Sequence, residues 1–343
     1  MQDATSLTDV GQNVGRLDAR LSELPLELNA LRSRGYVHAG LLNEDIASLE
    51  EQWNEIRPRV EKNLALQRRR LQRQLNAVSR QVNALSPTNA QSLAAAQQSL
   101  NSLQSDITSA RSGLTGLYSG LLSQLNLIEQ TLERYDWVVE QFDRSASVRL
   151  RDTEAPLMAA EAEWERDGEE GPDGLLLLTD QRLLFEQNEA VATGKLFGLI
   201  TTDSKKVQEL LLDIPVHQIE QIAHSERGGF LGMGRTEILE LVLSPRAPVS
   251  RARFELKEQD SADWAVWLKR VQSGEIDRDR DEAYRAEVEA AAARAATFPT
   301  QCPSCFGPLP EAPRGAERIH CPYCGVVITP EDDIEAGYET DAT

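Results

Sequence analysis

The sequence predicts a multidomain α+β chain: an elongated antiparallel helical bundle or coiled coil, then a small β-barrel with a C-terminal helix, a spacer helix and a compact cysteine module. Three observations predict it. An apolar residue returns at every seventh position from Leu93 to Phe142, which lays one greasy stripe along a helix. After Arg144 the apolar period shortens to two, the period of a strand with one wet face. All four cysteines lie between residues 302 and 324, in two pairs.

Length and composition bound the rest. With 343 residues, 41% hydrophobic and 27% charged, the chain is long enough for two or three domains of ordinary folded composition. Its formal charge is −19, with nearly all the excess acid after residue 144. An acidic surface repels phosphate backbones and anionic headgroups, which argues against nucleic acid as a partner and does not favour a membrane. The first residues, MQDATSLTDV, carry neither a basic region nor an apolar run, and the longest aliphatic block, Leu175 to Leu178, is far too short for a bilayer. A cytoplasmic location is expected. Paired cysteines in a reducing compartment suit metal ligation better than a disulfide framework.

Residues 1–144 read as the helical bundle. Leu7, Val10, Val14, Leu17, Leu21, Leu24, Leu28 and Leu31 alternate steps of three and four. Pro25 within them predicts a kink or a restart near Ser22, and Gly35 to Gly40 ends the helix. A second stripe runs Ile46, Leu49, Trp53, Ile56, Val60, Leu64, Leu71, Leu75, Val78, Val82, Leu85, with a stutter beside Pro58. Ser86 and Pro87 then break the chain, and Thr88 with Gln91 reads as a capping box for a third helix, roughly 80 Å long. So long a seam leaves room for a second copy, hence a homo-oligomer through the helical region. Gly113, Gly116 and Gly120 weaken its middle by up to about 1 kcal/mol each and predict a hinge or a close helix contact there. The basic cluster Arg68, Arg69, Arg70 and Arg73 reads as a solvated face with snorkelling stems rather than a docking patch for an acidic partner.

Residues 145–274 read as the barrel. Met158, Ala160, Ala162 and Trp164 alternate with polar neighbours, and Leu175–Leu178 and Leu183–Phe185 form a hairpin across Thr179-Asp180-Gln181-Arg182. Val207–Ile214, Ile219–His224, Ile238–Leu243 and Arg253–Leu256 are further strands. Asp260 or Ser261 caps a closing helix whose Trp264, Trp267, Leu268 and Val271 share a face. The run Gly174 to Phe185, then Ile214 to Glu220, then the glycine-rich Gly228 to Gly234 before Ile238-Leu-Glu-Leu, resembles the GRAM and bacterial pleckstrin-homology-like (PH-like) domains over about residues 150–272. That resemblance implies a module binding phosphoinositides or protein peptides. The first long turn, Glu165 to Glu170, is acidic where a lipid-binding relative carries lysines and arginines, so protein binding fits better. The segment 190–206 has no counterpart. The glycines read as a turn rather than a phosphate cradle, and His217 and His224 as packing or surface residues.

Residues 275–298 form a spacer helix ended by Phe298-Pro299, residues 299–329 the cysteine module, and residues 330–343 an acidic tail expected to be disordered. Cys302-Pro-Ser-Cys305, fifteen residues, then Cys321-Pro-Tyr-Cys324-Gly, is the spacing of two knuckles whose thiolates close a tetrahedral site around one ion. The segment resembles a zinc ribbon, and the resemblance implies structural Zn2+ on Cys302, Cys305, Cys321 and Cys324; spacing alone leaves iron open. Phe306-Gly307 stands where an immediate glycine is preferred. Cys-Pro-Tyr-Cys alone resembles the glutaredoxin active site, but no βαβ unit surrounds it. His320 points away from the metal in this reading.

No Ser/His/Asp set, paired-carboxylate motif, Walker motif or dinucleotide fingerprint occurs. The expectation is a non-enzymatic cytoplasmic adaptor or scaffold presenting protein-interaction surfaces. Two alternatives stay open: a peripheral membrane or lipid-sensing protein acting through the PH-like domain, and a nucleic-acid-associated regulator using the zinc ribbon.

Overall fold

The computed structural model describes residues 5–85, 89–165, 171–192, 195–196, 200–201, 204–228 and 235–330, with the backbone alone for 190–206. The acidic turn Arg166–Glu170, most of the glycine-rich stretch (229–234) and the tail 331–343 lie outside the described residues. The chain divides into two compact units, Met1–Ala30 with Leu41–Glu133, and Leu31–Gly40 with Arg134–Thr343.

Four helices carry the N-terminal stripes: α1 (Thr8–Ser33), α2 (Gly40–Asn83), α3 (Ala90–Gly116) and α4 (Ser119–Arg144). In the first unit, Leu7 and Val10, Leu64, Leu71 and Val78, and Leu103, Ile107 and Leu114 bury one another across three helices. Polar pairs fix the register. Asp18 accepts from Trp53 Nε1 at 3.0 Å and from Arg57 at 2.6 Å, and Asp106 accepts from Gln74 at 2.8 Å. Arg68 donates to the carbonyls of Ser6 and Leu7, Arg70 pairs with Asp106, and Arg73 donates to the Arg69 carbonyl, so three of the four arginines are engaged within the bundle.

Three local expectations need correction. The single long helix is two: the N–H groups of Leu117 and Tyr118 bond back three residues, to Leu114 and Thr115, a tightened step that falls between Gly116 and Gly120, with Tyr118 buried beside it. The cap is Asn89, whose Oδ1 accepts from the N–H groups of Gln91 and Ser92 at 3.1 Å; Ser86, Pro87 and Thr88 lie outside the described residues. α1 runs through Pro25 without restarting. It ends as expected at Gly35, with Tyr36 N–H on the Leu31 carbonyl and Gly35 N–H on that of Arg32.

The second unit is built on an antiparallel sheet in the order β6-β3-β2-β1-β9-β8-β7. Its strands are β1 (Pro156–Glu165), β2 (Asp173–Thr179), β3 (Arg182–Ala192), β6 (Ser204–Pro215), β7 (Ile219–Arg227), β8 (Thr236–Leu243) and β9 (Arg251–Leu256). The short pair β4 (Lys195–Leu196) and β5 (Ile200–Thr201) stands between β3 and β6. The expected barrel does not close. β6 and β7 follow one another in sequence but form opposite edges of the sheet. Pro215, which has no N–H to give a ladder, ends β6, and a 3-10 turn at Val216–Gln218 redirects the chain.

Helix α5 (Ser261–Gln272) packs against β7 and β8. Asp260 caps it at 2.7 Å, and Trp264 and Leu268 are fully buried among Trp164, Phe185 and Phe254. Trp267 is only partly buried, with the Arg270 guanidinium 4.8 Å above its ring. After a 3-10 turn at Glu275–Asp279 comes α6 (Glu282–Ala296), the spacer helix, and then β10 (Ile319–His320) paired with β11 (Val327–Ile328). No described helix is long and apolar enough to cross a membrane.

Candidate metal centre and a buried carboxylate beside it

The two cysteine knuckles are built alike. In the first, Cys302 N–H donates to the Gly307 carbonyl and Phe306 N–H to the Cys302 carbonyl, both at 2.9 Å. In the second, Cys321 N–H donates to Val326 at 3.0 Å and Gly325 N–H to Cys321 at 2.9 Å. Phe306 and Gly325 therefore hold equivalent places, and both are left-handed, at φ +60° and +73°. The expected difference between the knuckles is thus a phenylalanine in a conformation that suits glycine.

These turns aim four sulfurs at one point. The four sulfurs lie within 4.8 Å of one another, and none is in a disulfide. Cys302 Sγ is 3.7 Å from Cys324 Sγ, and Cys305 Sγ is 3.6 Å from Cys321 Sγ. Four sulfurs at about 2.3 Å from a central ion stand about 3.8 Å apart along the edges of a tetrahedron, so the donor set fits a metal ion such as zinc. Desolvation raises the Cys321 thiol, but the N–H groups of Cys324 and Tyr323 outweigh it and bring it down to about 6. For Cys305 the Gly307 N–H lowers the thiol, yet desolvation and the other sulfurs push it up to about 12.

The structure brings together all four cysteines named from the sequence, and among the described residues no other histidine, cysteine or carboxylate cluster has ligand spacing. His217, His224 and His320 are exposed and outside the set. The module's own core is thin: Phe298, Cys302, Ile319, Cys321 and Ile328.

Sequence reasoning missed a second centre in the same unit. Asp180, in the hairpin turn between β2 and β3, has a fully buried side chain. Its Oδ1 accepts from Ala155 N–H at 3.0 Å. Its Oδ2 meets Arg280 at 2.7 Å and Arg314 at hydrogen-bond distance; His38 Nε2 lies 3.5 Å away and makes no hydrogen bond. Burial would raise this carboxyl, but His38, Arg314 and Ala155 N–H hold it far below the usual range. The three side chains around it come from three places: His38 from the α1–α2 connection, Arg280 from the segment after α5, and Arg314 from the loop between the knuckles.

Beside it, Thr179 and Arg182 of the same turn both bind Glu154, at 2.6 and 2.8 Å, and Arg182 also reaches Asp213 at 2.6 Å. The Thr-x-x-Arg turn is therefore a buried structural lock, not a ligand site. A further buried carboxylate, Glu186, is desolvated yet lowered, because Ser147 and Ser145 hydroxyls and Ser147 N–H donate to it.

An open groove of about 540 Å³ runs beside β1 and the β9–α5 loop, lined by Arg134, Trp137, Met158, Lys257, Gln259 and Asp263. It mixes aromatic, cationic and acidic groups.

No protein-family model matches the chain, and no curated protein does. Solved structures are similar in part. The Vps36 N-terminal PH domain matches over 38% of this chain and 88% of its own, at 15% identity and a TM-score of 0.26. The complex of human RhoA with the DH/PH fragment of PDZRHOGEF matches over 62% of this chain and 54% of its own, at 12% identity and a TM-score of 0.25. An N-terminally truncated linker-DH/PH fragment of p115-RhoGEF matches over 80% and 98%, at 11% identity and a TM-score of 0.23. Likeness of that size says nothing of activity, and the architecture stands on the strand order itself.

Proposed function

We propose that the chain is a non-catalytic cytoplasmic adaptor or scaffold. In this reading a PH-like domain over residues 145–274 presents protein-interaction surfaces, and a zinc ribbon over residues 299–329 is held by structural Zn2+ on Cys302, Cys305, Cys321 and Cys324. The single observation that carries the metal reading is the convergence of four sulfurs within 4.8 Å of one another, two pairs of them near the tetrahedral edge length. Four thiolates fill every position of a tetrahedral ion, which leaves none for substrate or water and makes the ion a rivet for a fold too small to hold itself.

What supports the PH-like reading is the meander of antiparallel strands with a tryptophan-bearing helix laid against β7 and β8. What supports a protein partner is the mixed groove at Trp137 and Lys257, together with Phe306 and Tyr323, exposed at 75% and 66% on the knuckle tips. Solvent-facing aromatics of this kind are the residues that anchor protein interfaces. The test is zinc analysis of the freshly purified full chain, with an affinity pull-down using wild type and the Cys302→Ser/Cys305→Ser variant. One zinc per chain, and partners that the variant loses, are expected. Absence of zinc removes the metal reading, and an unchanged partner set removes the ribbon from the interaction.

A further inference from the structure

We infer that the metal load of the cysteine site is transmitted to residues 34–40, the connection between α1 and α2, through Arg314 and Asp180. This inference rests on the metal reading above and names its regulation.

The chain of contacts is continuous within one compact unit. Arg314 and Gly315 lie in the loop that begins at one knuckle and ends at the other, so the loop is held in shape from both ends only while the knuckles are joined. That loop is docked closely. Arg314 donates to the Thr153 carbonyl at 3.1 Å and to Asp180 Oδ2. Gly315, at φ +77°, lies so near the backbone that a Cβ there would stand 2.0 Å from the Asp152 carbonyl oxygen.

Asp180 carries the connection onward. Its Oδ2 is shared by Arg314, Arg280 and His38, and His38 in turn donates from Nδ1 to the Ile276 carbonyl at 3.3 Å. The segment 276–281 then binds the connection directly. Asp281 N–H donates to the Val37 carbonyl at 2.9 Å, and Asp281 accepts two bonds from Arg32 at 2.6 Å. Gly40 lies against Asp279, whose carbonyl oxygen is 3.0 Å from where a Cβ would stand.

Removing the ion removes what joins the knuckles, because five buried residues are too few to fold the module. The loop then leaves, Arg314 with it, and a buried carboxylate loses one of its cationic partners. Water then reaches a carboxylate that was fully buried, so its remaining pair with Arg280 is screened and held less firmly. Coupling of this kind is reciprocal: whatever metal does for the connection, the Arg314 contact must do for metal affinity.

The experiment is hydrogen exchange on the full chain, read on peptides covering residues 34–40 and 275–281, with zinc bound and after chelation. Chelation of wild type is expected to speed exchange there about tenfold, an ordinary size for coupling between two sites. Arg314→Gln, which removes the charge, and Gly315→Ala, which lifts the loop without touching the charge, should start near the fast level. Both should bind zinc several-fold more weakly, and Arg314→Lys should restore part of the protection. Zinc removed from wild type with residues 34–40 still protected overturns the coupling and leaves the metal reading standing. Wild type purified without zinc overturns both.

Discussion

The sheet and the cysteine module stand in the same compact unit and are held together by opposite means. The sheet buries Trp164, Phe185, Phe254, Trp264 and a shell of aliphatic residues in one contiguous core. The module buries five residues, two of them cysteines. The difference is why we propose an ion for the module: it would stand in for a core where chain length forbids one. The loop between the knuckles is where the two meet, since Arg314 carries the module's position to a carboxylate inside the sheet's own turn.

If that contrast is right, damage to each part should be separable. The largest effect is expected from Cys321→Ser. Structural zinc contributes roughly 10–16 kcal/mol to such modules, so this variant should lose metal and leave residues 299–329 unprotected from protease while the sheet keeps its cooperative melt. Trp264→Ala should do the reverse. It should cost the sheet about 3–5 kcal/mol by opening a cavity under α5, read by denaturant unfolding, with zinc content unchanged.

Glu154→Gln should cost about 3 kcal/mol by leaving Arg182 buried with half its charge unpaired. That measurement separates the Thr-x-x-Arg turn as a lock from any reading of it as a ligand site.

Acid sharpens the comparison further. Asp180 and Glu186 are both held below the ordinary carboxylate range when folded. The unfolded chain therefore takes up protons first, near pH 4. The stability these groups contribute is complete above that value and is lost as pH falls through it toward their folded values. Thermal melts between about pH 5 and pH 2.5 should fall steeply in wild type and less steeply in Asp180→Asn. The smallest effect is expected from Phe306→Gly. It relieves a left-handed phenylalanine and makes the first knuckle equal to the second, for a gain of about 1 kcal/mol or less in the module's stability, read as tighter zinc binding.

The parts legible in the sequence were those whose signal is local. Two Cys-x-x-Cys pairs announce themselves because both ligands of a knuckle sit on one turn, and the strands of Met158 to Trp164 and Leu175 to Phe185 announce themselves by alternation. The Asp180 centre was invisible because His38, Asp180, Arg280 and Arg314 are separated by at least a domain segment each. Singly, each reads as a polar residue in a turn. One faint signal was there: two arginines and a histidine in otherwise unremarkable connections, and an aspartate inside a turn already marked by Thr179 and Arg182.

The helix break at Leu117 and Tyr118 was half legible. The glycines marked the weak place, but the apolar repeat ran on across it through Leu117, so the sequence did not show that Leu117 is exposed and that Tyr118, one residue on, is buried in its stead. The barrel stayed open for a similar reason: alternation gives strands, but Pro215 and the turn after it decide which edges pair.

Metal content read together with folding tests the central claim most directly. Freshly purified full-length protein should hold one zinc per chain, and a chelator should leave the sheet melting cooperatively while residues 299–329 become protease-sensitive. Less than stoichiometric zinc, with those residues still folded and indifferent to chelator, would contradict the account.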